Sequence, residues 1–171
     1  MKQLVLMRHA KSSWSDPDEA DLDRPLNDRG KAASERMGKW LRKREFSPDI
    51  VLVSPAKRTR DTWKRVARKL GSEVKAKTEQ DIYSASPKAL LKLIKDQPDS
   101  AGSILLVGHQ PTLSSLTRKL SGGKVKSSNK AAFSVFPTAA CAVLEFDTES
   151  WAEVEFDSGS FVKFRKPKDF D

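Results

Sequence analysis

The sequence predicts an α/β protein: a three-layer α/β/α sandwich, with helices on both faces of a mostly parallel sheet and an antiparallel hairpin at its edge. Three observations carry this. Short apolar runs ("KQLVLM", "DIVLVS", "SILLVG") are each too brief for a helix and read as strands buried on both faces. Segments with apolar residues at helical spacing alternate with them. Near the end, "ACAVLEFD" and "WAEVEFD" are separated only by "TES" and read as a hairpin.

In chain order, residues 2 to 7 form the first strand and residues 10 to 26 a long polar, acidic loop. Asn27 is placed to cap a helix running to about Arg44, with Ala32, Ala33, Met37, Trp40 and Leu41 on one face. Residues 49 to 54 form a second strand. Pro55 suits the first turn of a helix that reaches Leu70 and stops at Gly71. A short strand is expected over 73 to 78, then a helix after Ser86 and Pro87 with Leu90, Leu91 and Ile94 on its apolar face. Residues 103 to 108 make a further buried strand. Pro111 opens a helix that ends before Gly122 and Gly123, and "KVKSSNK" is a basic, flexible connection. The charged tail, about 163–171, is expected to fray.

At 171 residues, with no internal repeat and no linker, the chain is read as one domain, 1–171. No apolar run approaches the roughly 18 residues that a membrane span needs, and the N-terminal run is too short for a secretory signal. Cys141 is the single cysteine and sits in a core-like strand, so no internal disulfide forms and a cytoplasmic location is expected. The net charge of +9 favours anionic partners through steering, without selecting among them. Most of these cations fall along helices, where a solvated basic face is the ordinary reading.

In open sheets of this kind, ligands sit beyond the carboxyl ends of the strands. Three strands end there in reactive residues: Arg8 with His9, Ser54 leading to Arg58, and Gly108 with His109. His9 and His109 are the only histidines in the chain. A lone histidine at a strand end is usually structural, but two at one sheet edge point to chemistry. A neutral imidazole is a good nucleophile toward phosphorus and leaves readily afterwards. Phosphoryl transfer needs charge neutralisation around three oxygens, which the arginine fork supplies. Two histidines and one cysteine give no metal spacing, and neither a P-loop nor a GxGxxG occurs. No metal and no cofactor are therefore expected.

"LVLMRHAKS", "VLVSPAKRTRDT" and "LLVGHQPTL", in this order, resemble the three signatures of the histidine phosphatase superfamily. "DRPLNDRG", "DIYSASPKALL" and "PTAACAVLEFD" are most similar to its SixA-type phosphohistidine phosphatases. The resemblance runs from Lys2 to about Phe156 and implies a phosphoglycerate mutase-like fold without a large cap insertion. It also implies roles. His9 is the phosphorylated nucleophile, Arg8 and Arg58 clamp the phosphoryl oxygens, and His109 donates a hydrogen bond to them. Ser54 and Thr62 support Arg58. Ser12, Ser15 and the backbone after His109 are further candidates for phosphate contact. The acid is less defined. Asp21 stands three residues before Arg24, where SixA-type sequences carry an aspartate, and Asp23, Glu79 and Asp81 are its alternatives.

The weak acid bears on the substrate. An alkyl phosphate leaves as an alkoxide that needs a proton from a well-placed acid, whereas phosphohistidine leaves through imidazole and needs less help. An open, basic site also suits a phosphoryl group on a protein surface. The leading expectation is thus a metal-independent phosphatase acting on phosphohistidine in a protein, as a monomer. The alternatives are a phosphomonoesterase acting on a small metabolite or nucleotide and, last, a non-catalytic phosphoprotein or nucleic-acid binding module. Nucleic acid ranks low as a partner because no nucleic-acid motif or aromatic stacking stripe accompanies the cations.

Overall fold

A computed structural model describes residues 1–125 and 127–170, with backbone alone at 127 and 128. Lys126 of the predicted connection and Asp171 of the tail lie outside the described residues. Six strands, β1 (Lys2–Arg8), β2 (Ile50–Val53), β3 (Lys77–Thr78), β4 (Ser103–Gly108), β5 (Cys141–Phe146) and β6 (Gly159–Arg165), form one sheet in the order β3-β2-β4-β1-β5-β6. The first four are mutually parallel, while β5 and β6 run antiparallel at one side. The predicted α/β sandwich with a mostly parallel sheet and an antiparallel hairpin is therefore what the chain forms.

The helices are α1 (Asp28–Lys43), α2 (Lys57–Leu70), α3 (Gln80–Tyr83), α4 (Pro87–Lys95) and α5 (Thr112–Ser121). Side chains alternate across the sheet. Val5, Met7, Val51, Val53, Leu105 and Val107 pack with Met37, Leu41 and Val66 of α1 and α2. Leu4, Leu6, Leu52, Ile104 and Leu106 pack with Leu90, Ile94 and Leu116 of α4 and α5. Burial on both faces explains why these strands read as continuous apolar runs. Cys141 is fully buried in β5, and burial pushes its thiol pKa up.

Several element boundaries differ from expectation. Asn27 does cap α1, its side chain accepting from the Gly30 N–H at 2.8 Å. Ala32, however, is exposed, because Gly30, Ser34 and Gly38 take the buried positions. A Cβ on Gly38 would lie 2.6 Å from the Val66 carbonyl, so this glycine is what lets α1 and α2 cross closely. Helix α2 begins at Lys57, two residues after Pro55, and ends at Gly71 with φ 77°. The third strand shrinks to two residues, and the four-residue α3 follows it unforeseen.

The second hairpin strand is Gly159–Arg165, and residues 151–157 do not pair. Trp151 is wholly buried, donates its indole N–H to Ala101 O at 2.7 Å, and sits in a 3-10 turn instead. The start of the expected fraying tail, residues 163–165, is therefore strand, followed by a 3-10 turn at Pro167–Phe170. A 3-10 helix over Ser127–Phe133 replaces much of the expected flexible connection.

Candidate active site

Register builds the site. Arg8 pairs with Gly108 and Val53 with Val107, so β1, β2 and β4 end at one level. The residues leaving those ends, His9, Ser54 and His109, therefore meet. The two imidazole rings stand 5.3 Å apart between centroids. The link between β1 and α2 is covalently remote but short in space. The Thr62 hydroxyl accepts from the Ala10 N–H at 2.9 Å and donates to the Arg58 carbonyl at 2.6 Å. One side chain thus fixes the residue after His9 against the turn that carries Arg58.

His9 is buried, and its Nδ1 lies 2.7 Å from the carbonyl oxygen of Ala10. A carbonyl only accepts, so Nδ1 carries the proton and Nε2 keeps its lone pair. Burial first, and then the neighbouring His109, Arg58 and Arg8 charges, push the His9 pKa down to about 3 against the pull of that carbonyl. His109 meets the Ser54 hydroxyl through Nε2 at 2.8 Å. Burial and Arg58 bring its pKa down to about 4. Both imidazoles are therefore neutral at pH 7.

Arg8 donates to the Phe136 carbonyl at 2.9 Å through Nη1, while its buried Nε has no partner. Arg58 is nearly enclosed. It donates to the Asp21 carbonyl at 2.7 Å and to the Asp21 carboxylate at 3.0 Å. That carboxylate also accepts from the Tyr83 hydroxyl at 2.6 Å and from Arg24 at 2.9 Å. The Tyr83 hydrogen bond, and then Arg58 and Arg24, hold the Asp21 pKa down at about 2. Asp21 is thus ionised at neutral pH and carries no proton to give.

The long loop carrying Asp21 is pinned by Arg24. This buried side chain donates to the Ser12 hydroxyl and to the Ser13 carbonyl, and lies over the Trp14 ring. Close contact with α1 is equally demanding: a Cβ on Gly30 would fall 2.1 Å from the Lys11 carbonyl oxygen.

Arg8, His9, Arg58, His109 and Asp21 all line one open cleft of about 670 Å³. Ser12 lines it too, with its hydroxyl engaged by Arg24. Ser15 does not; its hydroxyl turns to Ser13 at 2.8 Å. Asp23, Glu79 and Asp81, the alternative acids, are also absent from the lining. Sequence reasoning missed Tyr83 as part of the site, and used Arg24 only as a landmark. Tyr83 is the only tyrosine in the chain and follows no periodic pattern; the "DIYSASPKALL" stretch that holds it carried a family likeness but no role for the tyrosine. Among the described residues, no group of three or more potential metal-binding side chains gathers. Among the described residues, no helix is long and apolar enough to cross a membrane.

Comparison with known proteins gives consistent matches. A family model described as the histidine phosphatase superfamily (branch 1) matches residues 4–82. An uncharacterised protein of Mycobacterium tuberculosis is 34% identical over 165 residues, spanning 95% of this chain and 100% of its own. Among solved structures, an Agrobacterium tumefaciens protein given the provisional name phosphohistidine phosphatase SixA is 30% identical. It superposes with a TM-score of 0.80 over 97% of this chain and 98% of its own. The protein histidine phosphatase SixA complexed with tungstate shares the fold, with a TM-score of 0.78 at 24% identity over 99% of both chains.

Proposed function

The chain belongs to the histidine phosphatase superfamily, and we propose that it hydrolyses phosphohistidine on a protein through a covalent phospho-His9 intermediate. One observation carries the choice of substrate. Asp21 is the only carboxylate lining the cleft among the described residues, and its pKa of about 2 leaves it without a proton. An alkoxide leaving group would find no carboxylic acid there, whereas an imidazole leaving group needs less protonation.

The reaction has two steps. In the first, His9 Nε2 donates its lone pair to phosphorus as the bond from phosphorus to the substrate imidazole nitrogen breaks. That imidazole departs with the bonding pair and is protonated from solvent. Arg8 and Arg58 bind the phosphoryl oxygens, and the unpartnered Arg8 Nε supplies a donor already desolvated for the purpose. The phosphoryl group also displaces the Asp21 carboxylate from Arg58. In the second step water attacks phosphorus and the freed carboxylate of Asp21 takes its proton. The N–P bond breaks and returns the lone pair to His9.

The experiment that tests this is a rapid quench with a phosphohistidine protein and with para-nitrophenyl phosphate. Acid-labile, base-stable phosphate is expected on His9, with phosphohistidine turned over faster than the ester. Faster ester turnover overturns the substrate assignment. A His9→Ala variant as active as the parent overturns the covalent mechanism.

A further inference from the structure

Beside the catalytic cleft runs a second groove of about 790 Å³ between the start of α1 and the C-terminal turn. Lys11, Arg29, Lys166 and Lys168 line it, and among the described residues no acidic side chain does. Arg36 lines it as well and is already engaged by a neighbour. Among the acids that adjoin the lining in sequence, Asp28 lies 3.9 Å from the Lys31 ammonium, and the Asp169 carboxylate accepts from the Lys166 backbone N–H at 2.8 Å. Lys11 and Thr138 line both the groove and the catalytic cleft, so the two adjoin.

We propose that this groove docks an acidic segment of the phosphorylated protein while its phosphohistidine enters the cleft. The inference rests on the phosphoprotein reading above and extends it to the sequence around the modified residue. Three features favour a peptide with Asp or Glu side chains. The lining is cationic, with no acidic side chain among its described residues, which complements carboxylates and speeds encounter. Arg29, Lys11 and Lys168 are exposed, so their charges are available at the surface. The remaining walls are Ala32, Ala33, Pro137 and Pro167, with no aromatic ring on which a nucleic-acid base could stack.

The test compares two synthetic peptides bearing one N-phosphohistidine, flanked on both sides by glutamates in one and glutamines in the other. Phosphoramidate serves as a small substrate that reaches only the cleft. At low salt, kcat/KM is expected to be about tenfold higher for the glutamate peptide, the size expected of three exposed charge pairs. The difference should vanish at about 1 M salt, where screening acts within about 3 Å. In the Arg29→Glu/Lys166→Glu/Lys168→Glu variant the preference should disappear while phosphoramidate turnover stays unchanged, which also reports correct folding. The milder Arg29→Gln/Lys168→Gln variant should fall between. Equal rates for the two peptides, or a preference that survives in the triple variant, overturn the docking role.

Fluorescence anisotropy with the unphosphorylated glutamate peptide reads the groove without catalysis. Loss of phosphohistidine hydrolysis with retained, groove-dependent binding would therefore count against the activity and not against the groove. Tighter binding of oligouridylate than of the glutamate peptide, lost in the triple variant, would assign the groove to nucleic acid instead.

Discussion

His9 shows how a single hydrogen bond selects a chemical role. The Ala10 carbonyl holds the proton on Nδ1, and the surrounding burial and positive charge keep the ring from taking a second one. In the proposed mechanism such a ring is a nucleophile that needs no base. Asp21 has the opposite history: three donors converge on it and keep it ionised. Two of its oxygen contacts fall on arginines, so the carboxylate occupies on Arg58 a donor that a phosphoryl oxygen would also use. An Asp21→Asn variant is therefore expected to separate binding from turnover. Inorganic phosphate should bind several-fold tighter, because a competing anion is gone, while kcat should fall by about 10²-fold or more with the base for the attacking water removed. Competitive inhibition by phosphate and steady-state kinetics measure the two. A kcat equal to that of the parent would remove Asp21 from the mechanism. The Arg-His pair was legible in the sequence because a buried strand ended in it. The state of Asp21 was not, since it depends on Tyr83, 62 residues away.

At the scale of elements, the site is a product of strand register and of how closely the helices approach. The core strands were legible as apolar runs because both faces of a parallel sheet are covered. Strand ends were legible too, and that placed His9, Arg58 and His109 at one edge before any packing was known. The C-terminal hairpin was half legible. "WAEVEFD" alternates like a strand, but Trp151 is drawn into the core by Ala101 and turns the chain, leaving β6 to start at Gly159. Long-range burial overrode a local pattern there, which periodicity cannot report. Helix approach yields a prediction of its own. Adding the Gly38 Cβ would press on backbone, the Val66 carbonyl, rather than on a yielding side chain. Overpacking of this kind costs about 1–3 kcal/mol, against about 1 kcal/mol gained when alanine replaces glycine in a helix. Gly38→Ala should thus lower stability by about 1 kcal/mol in urea unfolding. It should also reduce activity, since α2 carries Arg58 and Thr62. A stabilised variant would mean that α1 and α2 can separate freely.

For the whole molecule, the two histidines couple the site to stability. Both titrate normally when unfolded, near 6.5, and are held down to about 3 and about 4 when folded. Between about pH 4 and 6.5 the unfolded chain therefore binds protons that the folded chain refuses. Stability is fully present above the unfolded value and is lost as the pH falls through this window. One proton difference corresponds to about 1.4 kcal/mol per pH unit. His9, the more enclosed, should contribute close to that slope, and His109 less because it faces the open cleft. Asp21, at about 2, adds a loss only at still lower pH. Acid also raises a net charge already at +9, and the self-repulsion this brings would be relieved by salt. The histidine contribution would not, because it arises mainly from burial. Chemical denaturation at pH 7, 6 and 5 in low and high salt separates the two. A decline that persists in high salt and flattens in a His9→Gln/His109→Gln variant is expected. Stability that stays level from pH 7 to 5 would mean the imidazoles are not buried as neutral rings, and the nucleophile would then need a base after all.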